Sequence, residues 1–235
     1  MGRKLYVIVM AAGSGTRMGT SVPKQFLELG GRPVLARTLE LFARACPDAR
    51  MVTVLPRDSM DFWKEWCLTS GFHIPQILVE GGITRFHSVR NALERVPDGA
   101  VVAVHDGVRP LVTESLVRRM AERMETCRAL IPVVPMVDTL KILSKDSEGN
   151  LVTVEGAAVD RSTVFGAQTP QMFLSEDLKA SYRRPYDVMF TDDASVASAN
   201  GIPLSYIEGE SYNIKLTTPD DLSMAQAILA LRGSL

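Results

Sequence analysis

An apolar run that ends in a glycine-rich loop constrains this chain more than any other feature. Lys4-Leu5-Tyr6-Val7-Ile8-Val9-Met10 leads directly into Ala11-Ala12-Gly13-Ser14-Gly15-Thr16-Arg17-Met18-Gly19, and Pro23-Lys24-Gln25 follows. The run reads as a buried strand. Glycines after it let main-chain N–H groups approach a phosphate chain without interference from Cβ atoms. Arg17 and Lys24 add positive charge to that loop, which suits negative charge developing on a phosphate.

Two common phosphate loops fail on spacing. A dinucleotide fingerprint needs a third glycine three residues after the second, but that position is Met18. It also needs a helix opening on the loop, whereas Pro23 and Gly30-Gly31 delay helical periodicity to about Pro33. A P-loop closes on Gly-Lys-Ser/Thr, and here Lys24 lies between Pro23 and Gln25.

Strand-like and helix-like segments then alternate. A helical stripe over 33–45 carries Val34, Leu35, Thr38, Leu39, Phe42 and Ala45; 51–55 reads as a strand, and 59–69 as a weaker helix with Phe62, Trp63 and Trp66. A short strand over 77–79 ends at Gly81. Thr84 caps a helix with Phe86, Val89, Leu93 and Val96 inward. The stretch 100–104 is wholly apolar, as expected of a strand covered on both faces. Thr113 caps the next helix, 130–134 and 204–207 read as further strands, and Thr218-Pro219-Asp220-Asp221 opens the last helix. The alternation predicts an α/β fold: a doubly wound, largely parallel, Rossmann-like sheet with helices on both faces.

The pattern breaks between Pro135 and Gly166. Residues 139–143 and 151–154 read as strands around the polar turn Lys145-Asp146-Ser147-Glu148-Gly149-Asn150, a hairpin signal. It has too few flanking helices to belong in the main sheet. Exposed hairpin edges call for a partner, the alternative being a hairpin folded onto its own domain. The expected organisation is one domain over 1–235 with an inserted β-arm at about 136–160.

Composition excludes several classes. A length of 235 residues suits one α/β domain, since such domains run to roughly 250 residues. A net charge of −1 argues against a nucleic-acid surface. No apolar stretch approaches the roughly 20 residues that span a bilayer, and the N-terminus is too short in apolar residues for a signal peptide. Cys46, Cys67 and Cys127 are widely spaced and odd in number. They fit neither a zinc site nor a disulfide framework and suggest a reducing, cytoplasmic setting.

Asp106 follows the apolar strand 100–104 and so lies at a carboxyl end, where open α/β sheets bind ligands. A carboxylate among phosphates there suits Mg2+, which takes one or two carboxylates plus substrate oxygens. His105 is expected to point the other way, packed and hydrogen-bonded.

The run from Ala11 to Gln25 resembles the motif of sugar-nucleotide and polyol-phosphate pyrophosphorylases. Further motifs narrow the likeness: Gly81-Gly82 with Arg85 and Ser88, His105-Asp106-Gly107-Val108-Arg109-Pro110, Asp138-Thr139-Leu140-Lys141, Asp160-Arg161, Gln168-Thr169-Pro170-Gln171, Thr191-Asp192-Asp193-Ala194-Ser195 and Asn213-Ile214-Lys215. In this order and spacing they resemble the 2-C-methyl-D-erythritol 4-phosphate cytidylyltransferase family of the non-mevalonate isoprenoid pathway.

The resemblance implies a magnesium-dependent homodimer in which Arg17, Lys24, Arg161 and Lys215 serve catalysis. It places CTP against Ala11, Ala12, Gly13, Ser14, Gly15, Gly81, Gly82 and Ser88. The acceptor then falls to Asp106, Arg109, Thr139 and Thr191, with the hairpin as the arm that carries Thr139 and Arg161 into the partner's site. Cytosine presents an amino donor where uracil presents an acceptor, and main-chain carbonyls with a hydroxyl can read it. Two departures bear on specificity. Ile83 stands where family members often carry Asp, and Gly107-Val108 replaces a common Ala-Ala. The related ribitol 5-phosphate cytidylyltransferases also carry Val before the arginine, so ribitol 5-phosphate is the alternative acceptor. A nucleotide-binding protein without transferase activity is the alternative of another class, disfavoured because Arg17, Lys24 and Asp106 are all present.

Overall fold

Strand β1 (Leu5–Met10) shows how this sequence builds two cores at once. Val7 and Val9 pack into one apolar cluster while Ile8 and Met10 pack into another, the alternation expected of a strand covered on both faces. Each fully buried Val or Ile side chain contributes about 1.5–3 kcal/mol, so such strands fix the layer order. The structure is a computed structural model that describes residues 2–13, 22–154, 156 and 159–233.

After β1 come a 3-10 turn at Lys24–Phe26 and the two-residue strands β2 (Glu28–Leu29) and β3 (Arg32–Pro33). The turn and β2–β3 set up α1 (Val34–Ala45), whose first N–H donates to the Leu27 carbonyl at 3.0 Å. β4 (Arg50–Leu55), α2 (Arg57–Thr69), β5 (Gln76–Glu80) and α3 (Arg85–Leu93) follow, then β6 (Val101–Asp106), α4 (Glu114–Arg123) and β7 (Ala129–Pro135). The Thr84 and Thr113 hydroxyls accept from the N–H groups of His87 and Leu116 and cap α3 and α4, as the sequence predicts. α1, α2 and α4 cover the Val7 face; α3 covers the Ile8 face.

β5, β4, β1 and β6 are adjacent and parallel. Because β4 and β5 extend one way from β1 and β6 returns to its other edge, the order reverses between β1 and β6. That crevice is where open α/β sheets bind ligands.

Beyond β6 the described sheet is mixed. After β8 (Leu143–Lys145) and β9 (Leu151–Thr153) come β10 (Phe165–Ala167) and β11 (Gln171–Leu174). β11 inserts antiparallel between β6 and β7, and β10 pairs antiparallel with β7. The helices α5 (Ser175–Ser181) and α6 (Asp193–Ala199) pack on the Ile8 face, β12 (Ser205–Glu208) runs parallel to β7, and α7 (Pro219–Leu231) closes the described chain. Neither β10, β11, α5 nor α6 follows from the sequence patterns. Each is short, and seven residues of helix or four of strand carry too little periodicity to register.

The hairpin β8–β9 pairs only with itself among the described residues. Its first strand is shorter than expected and starts at Leu143 rather than 139. Asp146 accepts from the N–H groups of Glu148 and Asn150, which closes the turn and sets Lys145 opposite Leu151. Ahead of Leu143 only the Ile142 carbonyl still bonds across, to Val154 N–H at 3.2 Å. Leu143, Leu151 and Val152 are exposed, Leu151 by 67%.

Candidate active site

A cavity of about 410 Å³ opens at the β1–β6 crevice. Its floor comes from Met10 and the Ala11-Ala12-Gly13 segment after β1. One wall is Gly82, Ile83, Thr84, Arg85 and Ser88, the other Asp106 and Val108 after β6, and Lys24, the buried Gln25 and Lys215 complete the lining. The structure thus brings together Ala11, Ala12, Gly13, Lys24, Gly82, Ser88, Asp106 and Lys215 from the expected set. Ser14, Gly15 and Arg17 lie outside the described residues.

The first wall explains its glycines by close approach. A Cβ on Gly81 would stand 2.6 Å from the Ala12 Cβ, and one on Gly82 2.5 Å from the His87 Cβ. Gly81 N–H donates to the Leu55 carbonyl at 2.8 Å, and Gly82 N–H to the Ser88 hydroxyl at 2.9 Å. The Ser88 hydroxyl in turn donates to the Thr84 carbonyl at 2.9 Å. A side chain at Gly81 would push this wall away from the Ala12 segment, and one at Gly82 would push it off the first turn of α3. Ile83 is 95% exposed at the lip of the wall.

The second wall is a charge cluster centred on Asp106. Its Oδ2 lies 3.0 Å from Lys215 Nζ and 3.4 Å from Arg109 Nε, and its Oδ1 lies 3.9 Å from Arg85 Nε. Burial works against this carboxylate's charge, but Lys215, Arg85 and Arg109 outweigh it and hold the group well below the usual carboxylate range. Burial lowers the Arg109 guanidinium from its ordinary value, with Asp106 opposing.

Distant residues hold the cluster in place. Arg109 Nη1 donates to the Asn213 carbonyl at 2.7 Å, Asn213 Nδ2 to the Thr169 carbonyl at 2.9 Å, and Asp106 N–H to the Thr169 hydroxyl at 3.1 Å. Leu216 N–H donates to the Val108 carbonyl at 2.9 Å, while Val108, Leu111 and Leu216 pack with Ala225, Ile228 and Leu229 of α7. Burial of α7 therefore brings Lys215 to Asp106. His105 points to the opposite face, as expected. It is fully buried, edge-on to Phe42, with Nε2 donating to the Arg109 carbonyl at 3.1 Å and Nδ1 3.1 Å from the Thr169 hydroxyl. Burial pushes its imidazole down to about 4, against the pull of Asp106.

Five expected residues among those described do not line the cavity: Gly81 and Arg109 stand behind its walls, against Ala12 and Asp106, and three lie apart from it. Thr139 and Thr191 are exposed, and Arg161 is exposed at the base of the arm, where its Nη1 donates to the Val137 carbonyl at 2.7 Å. Two residues with no role assigned from the sequence stand in the site's framework. Arg85 makes a two-pronged pair with the buried Asp193, Nη1–Oδ1 3.0 Å and Nη2–Oδ2 2.5 Å, and Tyr182 donates to Asp193 Oδ1 at 2.6 Å. Breaking a buried pair of this kind from one side costs about 3–5 kcal/mol. Both residues sit in recognisable motifs, but no local spacing links them.

The surroundings of Asp106 also bear on magnesium. Three cations face it, and the described residues contain no group of three His, Cys, Asp or Glu side chains that could hold a metal ion. The donor set does not fit a protein-held ion; it fits polyanions.

A family model for 2-C-methyl-D-erythritol 4-phosphate cytidylyltransferase (IspD) matches residues 5–231. The chain is 47% identical to a protein of that name from Porphyromonas gingivalis, over 97% of this chain and 99% of that one. It is 44% identical to the protein of that name from Bacteroides thetaiotaomicron, covering 96% of this chain and all (100%) of the other. Its fold is similar to the crystal structure of 4-diphosphocytidyl-2C-methyl-D-erythritol synthase from Anaerococcus prevotii, with a TM-score of 0.78 at 28% identity, covering 98% of this chain and 100% of that one. The sheet, the crevice and the full-length match lead to one conclusion: this chain belongs to the 2-C-methyl-D-erythritol 4-phosphate cytidylyltransferase (IspD) family.

Proposed function

We propose that this chain transfers the cytidylyl group of CTP to the phosphate of 2-C-methyl-D-erythritol 4-phosphate and releases pyrophosphate. The observation that carries the reading is the single cavity that joins a glycine-built slot to the Lys215–Asp106–Arg109 cluster, with Lys24 in its lining. An oxygen of the acceptor phosphate attacks the α-phosphorus of CTP. One phosphorus–oxygen bond forms as the bond to the bridging oxygen of the β-phosphate breaks, and pyrophosphate leaves with that electron pair. The acceptor phosphate has a second pKa of about 6 and is largely ionised at neutral pH, so the step needs no general base. Alignment of two polyanions and preorganised positive charge are what the protein has to supply.

In this reading the cytosine enters between the Ala11–Ala12 segment and Gly81–Gly82, with Ser88 and main-chain groups reading its edge. Lys24, together with Arg17, stabilises charge at the α-phosphorus. Lys215 and Arg109 meet the acceptor phosphate, and an Asp106 oxygen accepts from an acceptor hydroxyl. Magnesium belongs to the proposal as a companion of the triphosphate, which supplies its oxygens; Asp106 is not assigned to it. The chain works as a homodimer of one domain each, the arm of about 136–160 bringing Thr139 and Arg161 to the partner's site, while Thr191 serves the acceptor pocket of its own chain. The exposed apolar residues of β8–β9 support that arrangement, and three unpaired cysteines support a cytoplasmic setting.

The test is pyrophosphate release on mixing the purified protein with CTP and 2-C-methyl-D-erythritol 4-phosphate, with the cytidylylated product identified by mass. Absence of release under conditions where the protein is folded overturns the assignment.

A further inference from the structure

We propose that Arg85, clamped by Asp193 and Tyr182, is a positioning residue that aims one oxygen of Asp106 at the acceptor. The inference rests on the cytidylyltransferase reading and assigns a part to three residues of that site which the reading leaves without one. Arg85 opens α3, on the nucleotide side of the cavity, beside the Gly82–Ser88 contact. Asp193 opens α6, directly after Thr191-Asp192, and α6 packs on the same Ile8 face of the sheet as α3. Their two-pronged pair therefore ties α3 to α6 and fixes Arg85 on its wall of the cavity, facing Asp106.

The geometry divides the work among atoms. Both Nη groups of Arg85 are taken by Asp193, and Tyr182 completes Asp193 Oδ1 from α5's end. Only Nε of Arg85 is left to face Asp106, at 3.9 Å from Oδ1, which is beyond hydrogen-bond reach. Oδ2 of Asp106 is already held by Lys215 and Arg109. Among the described residues, then, Oδ1 has an attracting cation but no donor. The carboxylate is kept from swinging, because Oδ2 is anchored from one side and Oδ1 is drawn from the other. An acceptor hydroxyl finds Oδ1 oriented and with a lone pair open. The clamp itself is firm: Asp193 is fully buried and α6 is fixed by a capping box, Asp192 with Ser195, and by Gln171, which donates to Asp192 and accepts from Ala194 N–H.

The alternative is that the pair only holds α3 against α6. Steady-state kinetics of Arg85→Met, of the charge-balanced double variant Arg85→Met/Asp193→Asn and of Tyr182→Phe separate the two, with thermal unfolding measured in parallel. The single Arg85 variant leaves a buried carboxylate without its partner and is expected to melt early. The double variant removes both charges and is expected to recover most of the melting temperature while keeping an acceptor KM raised about tenfold or more, with the CTP KM within about twofold of wild type. Tyr182→Phe, which changes no charge, is expected to raise the acceptor KM about two- to fivefold with the CTP KM unchanged. An acceptor KM that returns to the wild-type value in the double variant overturns the proposal, as does a parallel rise of both KM values. If the double variant does not fold, an unchanged acceptor KM in Tyr182→Phe overturns it. Wild-type protein runs in the same assay: if it releases no pyrophosphate, the functional reading itself has failed and the inference falls with it.

Discussion

Lys215 Nζ stands 3.0 Å from Asp106 Oδ2, although the two residues belong to segments far apart in the chain. Each is the other's reason for being where it is. Lys215 helps keep a buried carboxylate ionised, and the carboxylate holds a flexible lysine over the cavity. Removing either member should lower kcat/KM for the acceptor by about two to three orders of magnitude, the range for one preorganised charge. Lys215→Ala, Asp106→Asn and the double variant form a cycle in which the double should lose little more than the worse single, because the pair acts as a unit. Strict additivity of the two losses would refute that coupling.

Lys24 lines the cavity and belongs to none of the three apolar clusters. Lys24→Ala should therefore reduce turnover about a hundred- to a thousandfold with little change in thermal unfolding. Arg17→Ala should behave alike. Near-normal turnover in both variants removes the electrostatic role assigned to the loop.

Arg161 is tied to Val137 at the base of the arm and lies away from the cavity of its own chain. If the arm completes the partner's site, Arg161→Ala and Lys24→Ala proteins, each inactive alone, should regain activity when their subunits exchange. One site of each mixed dimer then has both cations. A mixture that stays as inactive as its parents after exchange shows that sites are not shared.

Val108 is buried and at the same time lines the cavity, beside Asp106. A small apolar contact there suits a branching methyl group. Such a contact alone discriminates by roughly 10- to 200-fold per methylene, and unpaired hydroxyls of a longer polyol add to it. Methylerythritol phosphate should beat ribitol 5-phosphate by at least about a hundredfold in specificity constant. Equal or reversed preference in a competition assay moves the chain to the ribitol acceptor.

His105 is buried neutral, its Nε2–H given to a carbonyl and its Nδ1 facing a hydroxyl, with its folded value near 4. The unfolded chain binds that proton below about 6.5. Between those limits the unfolded state carries more protons, so stability is full above about 6.5 and falls as the pH drops toward 4. The limiting slope from one such proton is about 1.4 kcal/mol per pH unit. Denaturant titrations at several pH values should show this decline, and His105→Gln, though less stable at pH 7, should be flatter across the window. An unchanged slope in His105→Gln would assign the decline to other groups.

Much of the fold, and several of the residues that line the cavity, were legible in the chain itself. Strands such as 100–104 and helices capped at Thr84, Thr113 and Thr218 declare themselves because their signals lie within a few residues of each other. The Gly81–Gly82 wall was legible for the same reason. The tertiary structure decided the rest. β10, β11, α5 and α6 are too short to carry a period, and they form where a neighbouring strand or apolar face stabilises them. The charge cluster needed three-dimensional closure most of all. Asp106, Lys215, Arg109 and Arg85 meet because α7 buries its apolar face behind Val108 and Leu216, and because Asp193 of α6 holds Arg85 from the same face of the sheet. Periodicity sets local structure through contacts a few residues apart, whereas the partner of a buried charge is chosen by which segments the packed core brings within a few ångströms of it.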